Sequence, residues 1–201
     1  MTPGTTRAAR AAGTRSHLVA VGRELFAERG FAATSTEELV ARAGVTRGAL
    51  YHHFAGKQEL FRAVFAEISE EVFERVNAAA MADGEPWPGL VAGCAAYLDA
   101  ALDPAVQRIA LVDAPSVLGW QEWREVGAGN LFGLLATGLH WVAATGEMPD
   151  QPVAPLAHLL LGALNEGALY IAGAADRRAA RDEVAGVVAR FLAGVRTRGP
   201  D

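Results

Sequence analysis

Several things are scarce in this chain of 201 residues, and each scarcity narrows what it can be. There is one cysteine, Cys94, so no intrachain disulfide can form. It lies in an apolar helical stretch, where a small buried hydrophobe is expected rather than a redox sensor. Isoleucine is rare, alanine and leucine dominate, and no segment sustains the alternation of a strand, so an all-α chain is expected. No apolar run is read as reaching the ~20 residues that span a bilayer. The N-terminus lacks a signal-peptide core, so a cytoplasmic protein with no membrane partner is expected. Enzyme patterns are missing too. His140 and His158 stand without a metal-type cluster, no glycine loop suits phosphate, and the scattered serines pair with no base. His17 reads as a surface residue. No enzyme and no cofactor is expected.

What is present is divided. Half the residues are hydrophobic (51%), enough for one large core or two small ones. The net charge of −5 hides two regions. Residues 1–57 hold eight basic against four acidic side chains, a balance of +4, and residues 58–201 hold ten against nineteen, −9. A basic head on an acidic body suits a polyanion reader joined to a soluble second domain, although solvated faces alone would give the same count.

The informative stretch is residues 34–57. Ser35-x-x-Glu38 fits a capping box, Leu39, Val40 and Ala43 form a buried stripe, and Gly44 supplies a left-handed stop. Thr46 caps the next helix, which buries Ala49, Leu50 and Phe54 and exposes Arg47, Gly48, Tyr51 and His52. Two short helices joined by a glycine turn form a helix-turn-helix, whose second helix enters the major groove. Arg47 is placed to bond guanine O6 and N7, and Gly48 lets the backbone come close. Thr46, Tyr51 and Lys57, the only lysine, suit phosphate, as do Ser35 and Thr36 from the preceding helix. His52 can bond a base edge or a phosphate, and His53 is read as packing.

These residues also carry a resemblance. Gly30-Phe31, Thr34 through Leu39, Ala43 through Phe54, then Lys57 and Leu60, resemble the DNA-binding signature of the TetR (tetracycline-repressor) family in unbroken order and spacing. The match covers the first quarter to third of the chain. Asp113-Ala-Pro115, Gly119-Trp120 and Leu159 through Glu166 resemble the ligand-domain pattern of one actinobacterial-type branch. The resemblance implies an N-terminal three-helix helix-turn-helix head (residues 14–57) after a flexible basic tail (1–13), then a larger helical ligand-binding and dimerisation domain (58–201). It supports Thr36, Thr46, Arg47, Gly48, Tyr51, His52 and Lys57 as DNA contacts. It implies a homodimer that reads a palindromic double-stranded operator and is released by a small-molecule effector. The alternatives are an activator, a ligand-independent regulator, or a helical enzyme or scaffold whose head only resembles a DNA reader.

The remaining chain reads as helices. The first runs from about Thr14 to Arg29, and Arg7 and Arg10 before it read as a solvated tail or a DNA arm. A long helix from Lys57 to about Ala80 follows, then one at Leu90–Leu102. Another opens at Asp103-Pro104 and ends near Asp113. A single long helix is expected from Ser116 to Thr145, and two apolar ones at Pro155–Ala175 and Arg178–Arg196. Tyr97, Val106, Leu118, Trp120, Trp123, Phe132 and Trp141 are candidate walls of an effector pocket, with Asp113, Gln121 and Arg124 as polar anchors. The same aromatics read equally as core, and Asp113 as a cap. The last two helices are apolar nearly all round, which calls for burial by a partner. Leu156, Leu160, Ala163, Leu164, Asn165, Ala168, Val187, Val188, Phe191 and Val195 are the expected dimer contacts.

Overall fold

The computed structural model describes residues 3–196, with side chains from residue 11 onward apart from residue 128. The described residues form ten helical segments and no strand. Helix α1 (Pro3–Ala33) begins well before the expected Thr14, through the stretch read as a tail. The side chains of Arg7 and Arg10 lie outside the described residues. Gly30 takes φ 79° and ψ 167° and turns the chain, the stop its position predicts.

Helices α2 (Thr36–Ala43) and α3 (Arg47–His53) and the start of α4 (Lys57–Met81) complete the head. The expected capping box is present, and Gly44 is left-handed at φ 62°. Leu18, Phe26, Leu39, Leu50, Leu60 and Phe61 are fully buried. The rings of Phe26, Phe31 and Phe61 meet at 5.1–5.9 Å in tilted and edge-on contacts.

α4 continues into the body, where Ile68, Val72 and Val76 are buried. α5 (Pro86–Ala100) packs along it. A Cβ on Gly89 would lie 2.3 Å from the Ala80 carbonyl oxygen, so only glycine permits this approach. α6 (Val106–Asp113) is wound as a π-helix. The single helix expected from Ser116 to Thr145 is in fact two, α7 (Ala114–Leu118) and α8 (Trp120–Ala144). Gly119, at φ 85°, breaks the chain between them.

α9 (Val153–Gly173) and α10 (Arg177–Val195) close the body. By length and composition α9 would reach across a bilayer, which the sequence reading did not find. Its buried residues pack instead against α5, α8 and α10. That packing also corrects the expected dimer face. Leu160, Leu164 and Ala168 of α9 and Val188 of α10 are buried within the single chain and face no partner. Leu156, Asn165 and Val195 are half-buried. Ala163, Val187 and Phe191 remain exposed, joined by Leu159 (69% exposed) and Tyr170 (59%).

Candidate nucleic-acid interface and interior cavity

The reading face is set by caps. Thr46 Oγ1 accepts from the Ala49 amide at 3.2 Å, and Ser35 Oγ accepts from the Glu38 amide at 3.1 Å. The Ser35 amide donates to Glu38 at 3.0 Å. This bond first, then the Ser35 hydroxyl and Arg29, hold the Glu38 carboxyl below its usual range. With both ends fixed, α3 presents Arg47, Gly48, Tyr51 and His52 outward, all exposed. A Cβ on Gly48 would meet nothing nearer than Thr46 Oγ1 at 3.9 Å, so the site is a flat spot rather than a packing need. Thr36 and His53 are half-buried. Arg47 is not idle. Its guanidinium bonds Glu37 at 3.0 Å and lies 5.7 Å over the Tyr51 ring.

Lys57 has a structural role that the sequence reading missed. Its ammonium donates to the carbonyls of Phe31 at 2.8 Å and Thr34 at 2.7 Å, and sits 4.2 Å over the Phe31 ring. It locks the corner between α1 and α2, which leaves one N–H of three for a phosphate. His17, read as a surface residue, bonds the Ala43 carbonyl at 3.1 Å and ties α1 to the end of α2.

The seam between head and body is polar. Asp113 Oδ2 accepts from the Phe31 amide at 2.7 Å, and Arg108 pairs with the same oxygen at 3.4 Å. The Arg108 guanidinium occupies the space a Cβ on Gly30 would need, 2.0 Å away. Gln58 Nε2 donates to the Val117 carbonyl at 2.8 Å. Arg62 holds both oxygens of Glu122, the second at 3.1 Å. All three ties reach the head or the first turns of α4 from residues 108–122. Asp113, expected as a ligand anchor, lies in this seam, where its Oδ2 meets both the Phe31 amide and Arg108.

Behind the seam lies a small cavity of about 40 Å³, walled by α4, α5, α6, α8 and α9. Of the expected pocket residues, Tyr97, Val106, Trp123 and Arg124 line it, with Phe65, Ile68, Val72 and Leu131. Trp123 Nε1 donates to the Ala110 carbonyl at 2.8 Å, which anchors α8 to the π-helix. The Tyr97 hydroxyl bonds Asn165 Oδ1, and burial pushes the phenol well above its ordinary range, so it stays a proton donor. A second apolar cavity of about 50 Å³ adjoins across Tyr97 and Leu131 and is lined by Trp141. Cys94 lines it too. Burial raises that thiol to about 12, which leaves it an inert hydrophobe as read. Trp120, Gln121 and Phe132 line open grooves instead. Trp120 is 63% exposed, and Phe132 stacks on His158 at 4.3 Å. Leu118 lines none of these and packs on the core.

Residues 18–64 match the family described as bacterial regulatory proteins, tetR family. Residues 87–195, more than half the chain, match the tetracyclin repressor-like C-terminal domain. The chain belongs to the TetR family. A TetR-family transcriptional regulator from Pectobacterium atrosepticum is similar in structure, with a TM-score of 0.84 and 34% identity over 96% of this chain and 98% of that one. The transposon Tn10 TetC protein of Escherichia coli is 29% identical over 124 residues, 60% of either chain. The transcriptional regulator AcrR of Shigella flexneri is 46% identical over 57 residues, 28% of this chain and 26% of its own. The matches to these two curated relatives thus span less than two thirds of their length.

Several residues that shape this TetR-family site have contacts that the sequence did not reveal. Arg108 and Asp113 act on a backbone 82 residues away for the Phe31 bond, beyond any local pattern. Gln107 is buried and donates to the Ala101 carbonyl at 2.6 Å beneath the π-helix. Thr34 is buried with its hydroxyl on the Gly30 carbonyl at 2.8 Å. The α4 walls Phe65, Ile68 and Val72 were visible only as an apolar stripe.

Proposed function

We propose that this chain is a DNA-binding transcriptional repressor that acts as a homodimer and is released from a palindromic operator by a small apolar or aromatic effector. Arg47 reads a base edge, and Gly48 lets the backbone approach. Ser35, Thr36, Thr46, Tyr51 and His52 contact phosphates or edges, and Lys57 adds its remaining N–H. The dimer forms through the outer face of α9 and α10, where Leu159, Tyr170, Val187 and Phe191 stand exposed without a cover in the single chain.

The observation that carries the switch is the double use of residues 106–124. This segment ties the head through Asp113, Val117 and Glu122, and it walls the cavity through Val106, Leu111, Trp123 and Arg124. An effector that needs a wider cavity must move the segment that holds the head. It therefore favours a head placement that no longer fits two half-sites. The test has three parts: selection of binding sequences from a random double-stranded pool, light scattering of the free protein, and anisotropy of the recovered duplex. A palindromic site bound by a dimer supports the reading. A stable monomer at micromolar concentration, or no enriched sequence, overturns it.

A further inference from the structure

We infer that the cavity beneath Tyr97 takes an apolar molecule bearing a single carboxylate, and that Arg124 at the cavity mouth binds that carboxylate. This deepens the effector reading above and rests on it. The polar groups of the cavity are few, and their spare protons lie on two side chains. Ser69 spends its proton on the Phe65 carbonyl at 2.8 Å, and Tyr97 spends its own on Asn165 Oδ1. The Asn165 amide N–H groups and the Arg124 guanidinium remain, with no hydrogen-bond partner among the described residues. Both are donors only. A ligand that matches them brings acceptors and need bring no donor, and a carboxylate is such a group.

Charge selects the same chemistry. The neighbouring guanidinium groups are neutralised, Arg62 by Glu122 and Arg108 by Asp113. Arg124 has no carboxylate within ion-pairing distance among the described residues and rests only against the Trp120 ring, 6.0 Å from its centroid. Glu125, one residue on, accepts from Gln121 at 2.9 Å. Glu166 lines the open groove outside but not the cavity. Arg124 lines both, so an anion held there sits at the mouth while its body enters the cavity. A charge-assisted bond at this exposed mouth exceeds a neutral one. The body of the ligand is directed past Tyr97 and Leu131 toward the second cavity, whose walls are almost wholly apolar, and widens both cavities as it enters.

The test uses the full chain and a matched series: decanoate, its methyl ester and decanol, each below its aggregation limit. Binding is followed by tryptophan emission, since Trp123 lines the cavity, and by equilibrium dialysis. Decanoate is expected to bind about tenfold or more tighter than the ester and the alcohol. In Arg124→Gln that ratio falls to about one while alcohol binding is retained. Ile68→Trp, which fills the cavity, removes binding of the whole series. Equal affinities in the native chain, an unchanged ratio in Arg124→Gln, or no saturable binding by either method would each overturn the inference. The duplex recovered by selection separates this inference from the regulatory reading. Decanoate that binds as expected yet leaves duplex affinity unchanged sinks the effector switch and leaves the anion site. A duplex bound normally by a chain that ignores the whole series sinks the anion site and leaves the DNA reading.

Discussion

The head and the body of this molecule are built from the same helices under opposite rules. The head packs three phenylalanine rings edge to face, caps both short helices, and engages its surface charges in Arg23–Glu71, Arg29–Glu38 and Arg47–Glu37 pairs. Among the described residues, its first three helices line none of the cavities and grooves described above. The body carries two voids, a π-wound helix, a glycine break and an uncovered apolar face. A close-packed interior resists deformation, whereas a voided one has several arrangements of similar energy. Under the proposed function, the difference separates a half that reads from a half that yields. A reader must hold its geometry, and a sensor must be able to change it.

The sharpest way to break the comparison is inside the body. Leu160→Glu places an unpaired charge among fully buried side chains. We expect loss of the folded state, seen as loss of cooperative melting and helical circular dichroism. Leu159→Glu, one residue away and 69% exposed, should keep the fold and lower the sedimentation mass toward a monomer. If both variants unfold, or both merely dissociate, the division of α9 into a core face and a partner face is wrong.

In the head, Arg47→Ala should lower affinity for the selected duplex by about 1–3 kcal/mol and relax preference at one base pair. Lys57→Met should cost stability as well as affinity. Removing a donor that satisfies two carbonyls leaves acceptors short, worth about 1–3 kcal/mol. The contrast is the check: Arg47→Ala should melt like the native chain, and Lys57→Met should melt lower.

At the seam, Asp113→Asn keeps the shape but weakens the bond to Phe31 and the pair with Arg108. A loss of about 1 kcal/mol in the coupling between effector and duplex is expected, with each binding alone little changed. The readout is effector affinity with and without saturating duplex, and equal coupling in both proteins would move the seam elsewhere. The smallest effect concerns pH. The Arg23 hydrogen bond, offset in part by desolvation, holds the Glu71 carboxyl below its ordinary value. A depressed carboxyl stabilises above its unfolded value and loses that contribution as pH falls through the folded one. The pair is partly exposed, so Glu71→Gln should flatten the acid limb of the stability curve by under about 1 kcal/mol.

The head was legible because its signals are local. Ser35 to Glu38, Gly44 and Thr46 each act within four residues, and the structure places every one as read. The same locality explains what stayed hidden. Lys57 reads as a phosphate anchor because a lone lysine near a reading helix suggests nothing else, and the carbonyls it bonds belong to a corner 23 and 26 residues away. Asp113 reads as a cap or a ligand anchor for the same reason. In the body, periodicity marks Leu160 and Leu159 alike as apolar, and only the packing of α5 and α8 says which one is covered. The break at Gly119 was hidden among the glycines of α8, since composition does not reveal which glycine takes a positive φ.

Lys57 has one more consequence, for chemistry applied from outside. It is the single lysine of the chain, so a protease specific for lysine has one peptide bond to cut, at the joint of head and body. Its ammonium is held by two carbonyls, so the native joint offers the enzyme nothing to grip. Cleavage must wait for the corner to open, and its rate counts the opened fraction. Two fragments on a gel, collected with duplex, with effector or with neither, would measure how far each ligand loosens that joint.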